Sequence, residues 1–216
     1  LSRILLNSMR WNSFLATGMS LALICMSGEL LEFLFKIEDP LITWGCRIIA
    51  MELYIILVFR SIPDKFLVMA DYHKFISWIV IAEAGVNVIC CLLLLPYFSF
   101  IAVTLIALGI KAVSTFALIL PLLLRYMKMK YYVLVWKIAL LQLAAAIPMC
   151  LTLIGLKKVI SPGDALFLYL LAASSAGAAV YLLFSYILTI QKDEKRLVRN
   201  KIMALGSEIR QKLCRH

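Results

Sequence analysis

HKFISWIVIAEAGVNVICCLLLLPYFSFIAVTLIALGIKAVSTFALILP, residues 73 to 121, decides how this chain is read. Two apolar runs flank the break Pro96-Tyr97-Phe98, and each carries one charge near its middle, Glu83 in the first and Lys111 in the second. A charged side chain at the centre of a bilayer costs ~2.5–3.5 kcal/mol on insertion scales, so each is expected to face protein or water and ranks as a candidate functional residue. Both helices rise ~1.5 Å per residue, and counting back from a tip between Tyr97 and Phe98 puts Lys111 within about one residue of Glu83 in depth. Asn87 lies one turn from Glu83 on the same face. An ion pair across the hairpin is therefore expected. At ~4 Å in partly shielded protein it attracts by roughly 4 kcal/mol, which offsets much of the desolvation cost. Such a pair serves equally as a structural brace or as the lining of a hydrophilic cavity.

Composition places the rest of the chain in the same class. Of 216 residues, 64% are hydrophobic and 16% charged, with a mean hydropathy of +0.98, outside the range of soluble domains. Backbone groups in lipid must be satisfied internally, so long apolar runs mean helices, whereas a membrane barrel shows short alternating segments. The expected fold is all-α and polytopic, with six spans near 11–35, 41–60, 75–95, 100–124, 131–156 and 165–190. These make up one transmembrane domain, 1–190, followed by a basic amphipathic tail, 191–216, suited to an anionic membrane surface. The second helix is expected to run on past Arg60 and Pro63 toward Asp71, because Arg60 and Asp64 have the spacing of a helical ion pair. A chain that opens on leucine, with a basic lead-in and no signal-peptide pattern, is expected to lack its natural N-terminus.

Several other groups enter at this stage. Arg47 and Glu52 lie inside the second span, and counting from a tip near Glu38 puts Arg47 level with Glu29, so those two are expected to pair. Thr104, Ala107, Leu108, Lys111 and Thr115 share one face, as a packing surface or a wet wall. Lys137 lies close enough to the basic border to snorkel. Ala173 and Gly177 have the small-xxx-small spacing of a packing face. The cysteines Cys25, Cys46, Cys90, Cys91, Cys150 and Cys214 show no C-x-x-C spacing, and the two histidines, His73 and His216, lie apart. No metal or other cofactor is expected, and cysteine reads as a small apolar filler.

Charge sets the topology. Arg3, Arg10, Arg60, Lys65, Lys74, Arg125, Lys128, Lys130 and the basic tail fall on one side, against Lys36, Lys157 and Lys158 on the other, so both ends of the segment are expected in the cytoplasm. The net charge of +10 belongs to these membrane borders, and a nucleic-acid partner is not expected. Neither a G-x-S-x-G elbow nor an H-E-x-x-H pair is present, and no enzyme activity is expected.

The order of features resembles the C-terminal half of Wzx-type oligosaccharide flippases, in the superfamily that also holds the MATE exporters. The likeness rests on the acidic exit GELLEF (28–33), the helix start LITWGCRIIAMEL (41–53), and the segment ADYHK-x8-EAGVN-x8-P-x4-IAVTLIALG (70–109). Ala70-Asp71 and Ser99-Phe100 stand where that family commonly has glycine. The resemblance implies a partial second lobe, helices nine to fourteen, with a missing N-terminal lobe of the same protein as its partner. It implies alternating access for a lipid-linked oligosaccharide across the bacterial inner membrane for polysaccharide export, alongside a polysaccharide polymerase complex. Arg47, Arg60 and Lys111 would suit the carrier's pyrophosphate, while Glu52 and Glu83 would hold a proton or cation. Another exporter of the MATE type, moving a drug or lipid, and a non-transporting scaffold subunit remain alternatives.

Overall fold

The computed structural model describes residues 2–95, 100–159 and 166–188. Within them every regular element is helical, and six helices are long and apolar enough to cross a membrane: α1 Ser2–Phe35, α2 Pro40–Met69, α3 His73–Leu94, α4 Ile101–Met127, α5 Ile138–Lys158 and α6 Leu166–Leu188. The protein is an all-α polytopic membrane protein. The break at Pro96 to Phe98 and the basic tail lie outside the described residues, as does the side chain of Lys137.

One boundary differs from the sequence expectation and another agrees with it. The basic lead-in continues α1 without interruption, burying Leu5, Met9 and Arg10. The second helix does run past Pro63 to Met69 as one transmembrane element. Proline lacks an N–H and its ring clashes with the carbonyl four residues back. In α2 that carbonyl belongs to Phe59, inside a π-helical turn, Ile56–Arg60, and in α4 Pro121 opposes Ala117, inside the π-helical turn Ser114–Ile119. A wide turn relieves both clashes without ending either helix. A third π-helical turn, Val135–Leu140, leads into α5.

Connections are short, and three of them turn on left-handed residues: Lys36 (φ 57°), Asp71 (φ 68°) and Lys128 (φ 52°). Aspartate, as at Asp71, is among the few side chains that tolerate this region. Asp39 caps α2, its carboxylate accepting from the Leu41 amide at 2.8 Å, with Pro40 at the first helical position.

Packing follows two cores. One joins the N-terminal half of α1 to Val58, Phe59 and Leu67 of α2, Ile76 and Ile79 of α3, and Ile119 to Leu124 of α4. The other joins the C-terminal half of α1 to Ala145, Ala146, Met149 and Leu153 of α5 and to Tyr169, Ala173 and Tyr181 of α6. Helix α1 belongs to both. Ala173 and Gly177 are buried, and a Cβ on Gly177 would stand 3.0 Å from Leu153 Cδ2, so this is a packing face as expected. Helix α3 is the most peripheral: its buried residues are Ile76, Ile79 and Glu83, one stripe at helical spacing.

Candidate functional site

The single inward stripe of α3 ends on a carboxylate, and that carboxylate is where three helices meet. Glu83 Oε2 accepts from Lys111 Nζ of α4 at 2.5 Å, so the hairpin pair forms as the counting predicts. Its other oxygen, Oε1, accepts from Arg60 Nη1 of α2 at 2.5 Å. Arg60 in turn donates through Nε to Asp64 Oδ2 at 3.0 Å, the expected pair one helical turn apart, and through Nη1 toward Ser114 Oγ at 3.4 Å. Ser114 donates to the Lys111 carbonyl at 3.2 Å. Two cations and two carboxylates thus form a formally neutral cluster.

Its location makes that neutrality necessary. Glu83 lies ~15 Å along α3 from His73 and about as far from Leu94, which is mid-depth in a hydrocarbon core of ~30 Å. The side chains of Arg60 and Glu83 are each 6% exposed, against 26% for Asp64 and 29% for Lys111. An unpaired charge so deep would be costly, whereas alternating charges in contact compensate one another. The π-helical turns of α2 and α4 pack together here, with Arg60 closing the first and Ser114 opening the second. Beside the cluster, a groove of about 640 Å³ runs between α3 and α4. Trp78, Val86, Ile110 and Val113 are among its apolar walls, and Glu83 and Ser114 lie at its floor.

The remaining expected site residues lie elsewhere. Asn87 is half-buried, and its side-chain oxygen accepts from Cys91 Sγ of the same helix at 3.5 Å. Glu52 is half-buried on α2, outside the cluster. Arg47 does not pair with Glu29. Its Nε donates to Ser27 Oγ at 3.1 Å and its guanidinium stands 5.1 Å from the centre of the Trp44 ring, while Glu29 Oε1 takes Lys157 Nζ of α5 at 2.5 Å. Equal depth does not ensure equal azimuth, and Glu29 faces α5 where Arg47 faces Ser27. Of the three candidate cations, Arg47 alone has no carboxylate within ion-pair distance among the described residues. The stripe on α4 is a packing surface, since Thr104 and Thr115 are buried where α4 meets its neighbours.

A second polar network had no counterpart in the sequence expectation. On α1, Asn12 donates its amide to the Leu57 carbonyl, and Ser13 donates its hydroxyl to the Ile138 carbonyl at 2.9 Å. Both acceptors sit in π-helical turns, where the regular ladder is interrupted, so two adjacent side chains of α1 satisfy wide turns on two other helices. Higher on α1, Tyr181 of α6 donates to the Phe14 carbonyl at 2.6 Å. The ring packs so closely on α1 that a Cβ on Gly18 would meet Tyr181 Cε1 at 2.8 Å. Short polar residues on a transmembrane helix were the available signal, but which carbonyls they reach depends on the wide turns.

No protein-family model, curated protein or solved structure matches this chain.

Proposed function

We propose that this chain is the transport lobe of a flippase that moves lipid-linked oligosaccharide across the bacterial inner membrane, with both ends of the segment cytoplasmic. The observation that carries the reading is the mid-depth cluster Arg60, Asp64, Glu83 and Lys111. As static bracing, well-packed apolar side chains would serve at least as well as a buried ion network, so its cost points to use of the charges in a working cycle. In this mechanism the cluster is a latch among α2, α3 and α4. It holds one conformation while neutral and rearranges when the lobes rock. Arg47, which has no carboxylate within ion-pair distance among the described residues, is the group available to an anionic pyrophosphate, since a guanidinium in a poorly solvated place binds phosphate oxygens strongly. The resemblance in the segment from Ala70 to Gly109 supports the substrate class, and the Lys/Arg asymmetry supports the orientation.

The test is glycan export in cells whose only copy of the natural, full-length protein carries Arg47→Ala or Lys111→Ala, with membrane insertion checked by blotting. Loss of surface glycan with normal insertion is the expected result. Unchanged export in both variants would overturn the reading. Export of cationic drugs without glycan export would place the protein with multidrug exporters.

One observation favours a second reading, a bracing subunit: each charge of the cluster already has an opposite partner. A double-mutant cycle at Glu83 and Lys111 separates the two. Strong stability coupling with normal export indicates a brace, whereas weak coupling with lost export indicates a latch.

A further inference from the structure

In the wide turn of α2 the Ser61 amide bonds to the Ile56 carbonyl, five residues back. The Leu57 carbonyl, four residues back, therefore loses the donor that an α-helix would give it. The Asn12 side chain of α1 supplies a donor in its place. A carbonyl inside a membrane-spanning helix is costly to leave unpaired, so the widened turn and the asparagine depend on each other. Arg60 is the last residue of that turn. A π-helical turn holds one residue more than the α-helical turn it replaces, and closing it rotates the helix beyond by about 100°, one residue's share of a turn. The half of α2 before the turn, Pro40–Ile55, packs on α1 and α4, so the half that would rotate is the one carrying Arg60 and Asp64. Their mutual bond, one helical turn apart, would survive the rotation, whereas the bond from Arg60 to Glu83 of α3 would not. Pro63 does not by itself fix the wide turn, because membrane helices also accommodate a proline by a kink.

We propose that Asn12 is a positioning residue for Arg60. By holding the Leu57 carbonyl it keeps the turn wide, and the wide turn keeps the guanidinium on the face of α2 that meets Glu83. Helix α1 thereby sets the geometry of a cluster built from α2, α3 and α4. This role is the same whether the cluster latches or braces, and it does not depend on what is carried.

The test reads the azimuth of α2 on both sides of the turn. Nitroxides are placed singly at Ile49, Met51 and Leu53 and at positions 65 to 69 of the full chain in lipid vesicles, and oxygen accessibility is measured by paramagnetic relaxation. Beyond the turn the accessible face of the unaltered chain is Lys65, Val68 and Met69, with Leu67 shielded. Asn12→Leu should rotate that face by about 100° and leave the pattern at 49, 51 and 53 unchanged. Pro63→Ala should hold it in place. Deletion of Leu57 removes the extra residue, so it should keep Arg60 in phase and make Asn12→Leu silent. An unmoved face in Asn12→Leu overturns the proposal even where stability falls, since loss of one hydrogen bond weakens a fold without turning a helix. A face that Pro63→Ala alone rotates overturns it as well. Where Asn12→Leu does not insert, the deletion decides: insertion recovered in the double variant supports the proposal, and failure to recover overturns it.

Discussion

The two cores of the molecule are held in opposite ways. Where α1, α5 and α6 meet, the body of the contact is made by small residues and neutral hydrogen bonds, Ala145, Ala146, Ala173 and Gly177, with the Tyr181 hydroxyl on the Phe14 carbonyl, and an ion pair, Glu29 with Lys157, lies toward the C-terminal ends of α1 and α5. Where α2, α3 and α4 meet, an ion cluster does the joining beside an open groove, and α3 leaves Trp78, Leu92 and Leu93 facing outward. Lipid tails are as apolar as leucine, so burying apolar surface does little to bring membrane helices together, and close packing or polar contact must do it. The first core uses the first means and the second core uses the second. Close packing yields a rigid interface. An ion cluster can exchange partners, which is what a moving element requires.

The largest effect should come from the charged core. Glu83→Ala leaves Arg60 and Lys111 without their shared carboxylate, and removal of one member of a buried ion pair costs ~3–5 kcal/mol. Unfolding of the reconstituted protein by detergent titration measures it, and a loss smaller than that of any substitution in the neutral core would break the contrast. In the neutral core, Gly18→Ala pushes against the Tyr181 ring, and overpacking of this kind costs ~1–3 kcal/mol. The same titration, together with tyrosine fluorescence, reports it. Tyr181→Phe keeps the ring and removes the bond to the Phe14 carbonyl, with an expected loss of ~1 kcal/mol. Hydrogen exchange of the α1 amides around Phe14 should rise with it. The smallest effect is expected at Gly109, which lines the groove between α3 and α4 and has no atom within 4 Å of an added Cβ. Gly109→Ala should change stability by no more than ~0.5 kcal/mol, as at other positions free of contacts. A larger loss in thermal denaturation would mean that this face is packed against protein.

Legibility in the sequence followed the same division. The Glu83–Lys111 pair could be counted from a hairpin tip because both partners lie close to one turn, where the rise per residue sets depth and little error accumulates. Arg60 could be matched to Asp64 by helical spacing. Its bond to Glu83 could not, since it depends on how α2 packs against α3. Arg47 and Glu29 show the limit of depth alone, as they are close in height and turned to different neighbours.

Hydropathy and the need to satisfy every backbone group in lipid were enough to establish six helices and their approximate ends, and a helical repeat was enough to find pairs within one helix or across one turn. Azimuth was beyond their reach. Which face of each helix meets which neighbour is settled by side-chain packing among segments far apart in the chain, and in α2, α4 and at the start of α5 the π-helical turns change the residue spacing that a regular repeat assumes. The bond from Arg60 to Glu83 that joins two sequence-legible pairs into one cluster, and the grip of Asn12 and Ser13 on two other helices, therefore belong to the tertiary structure alone.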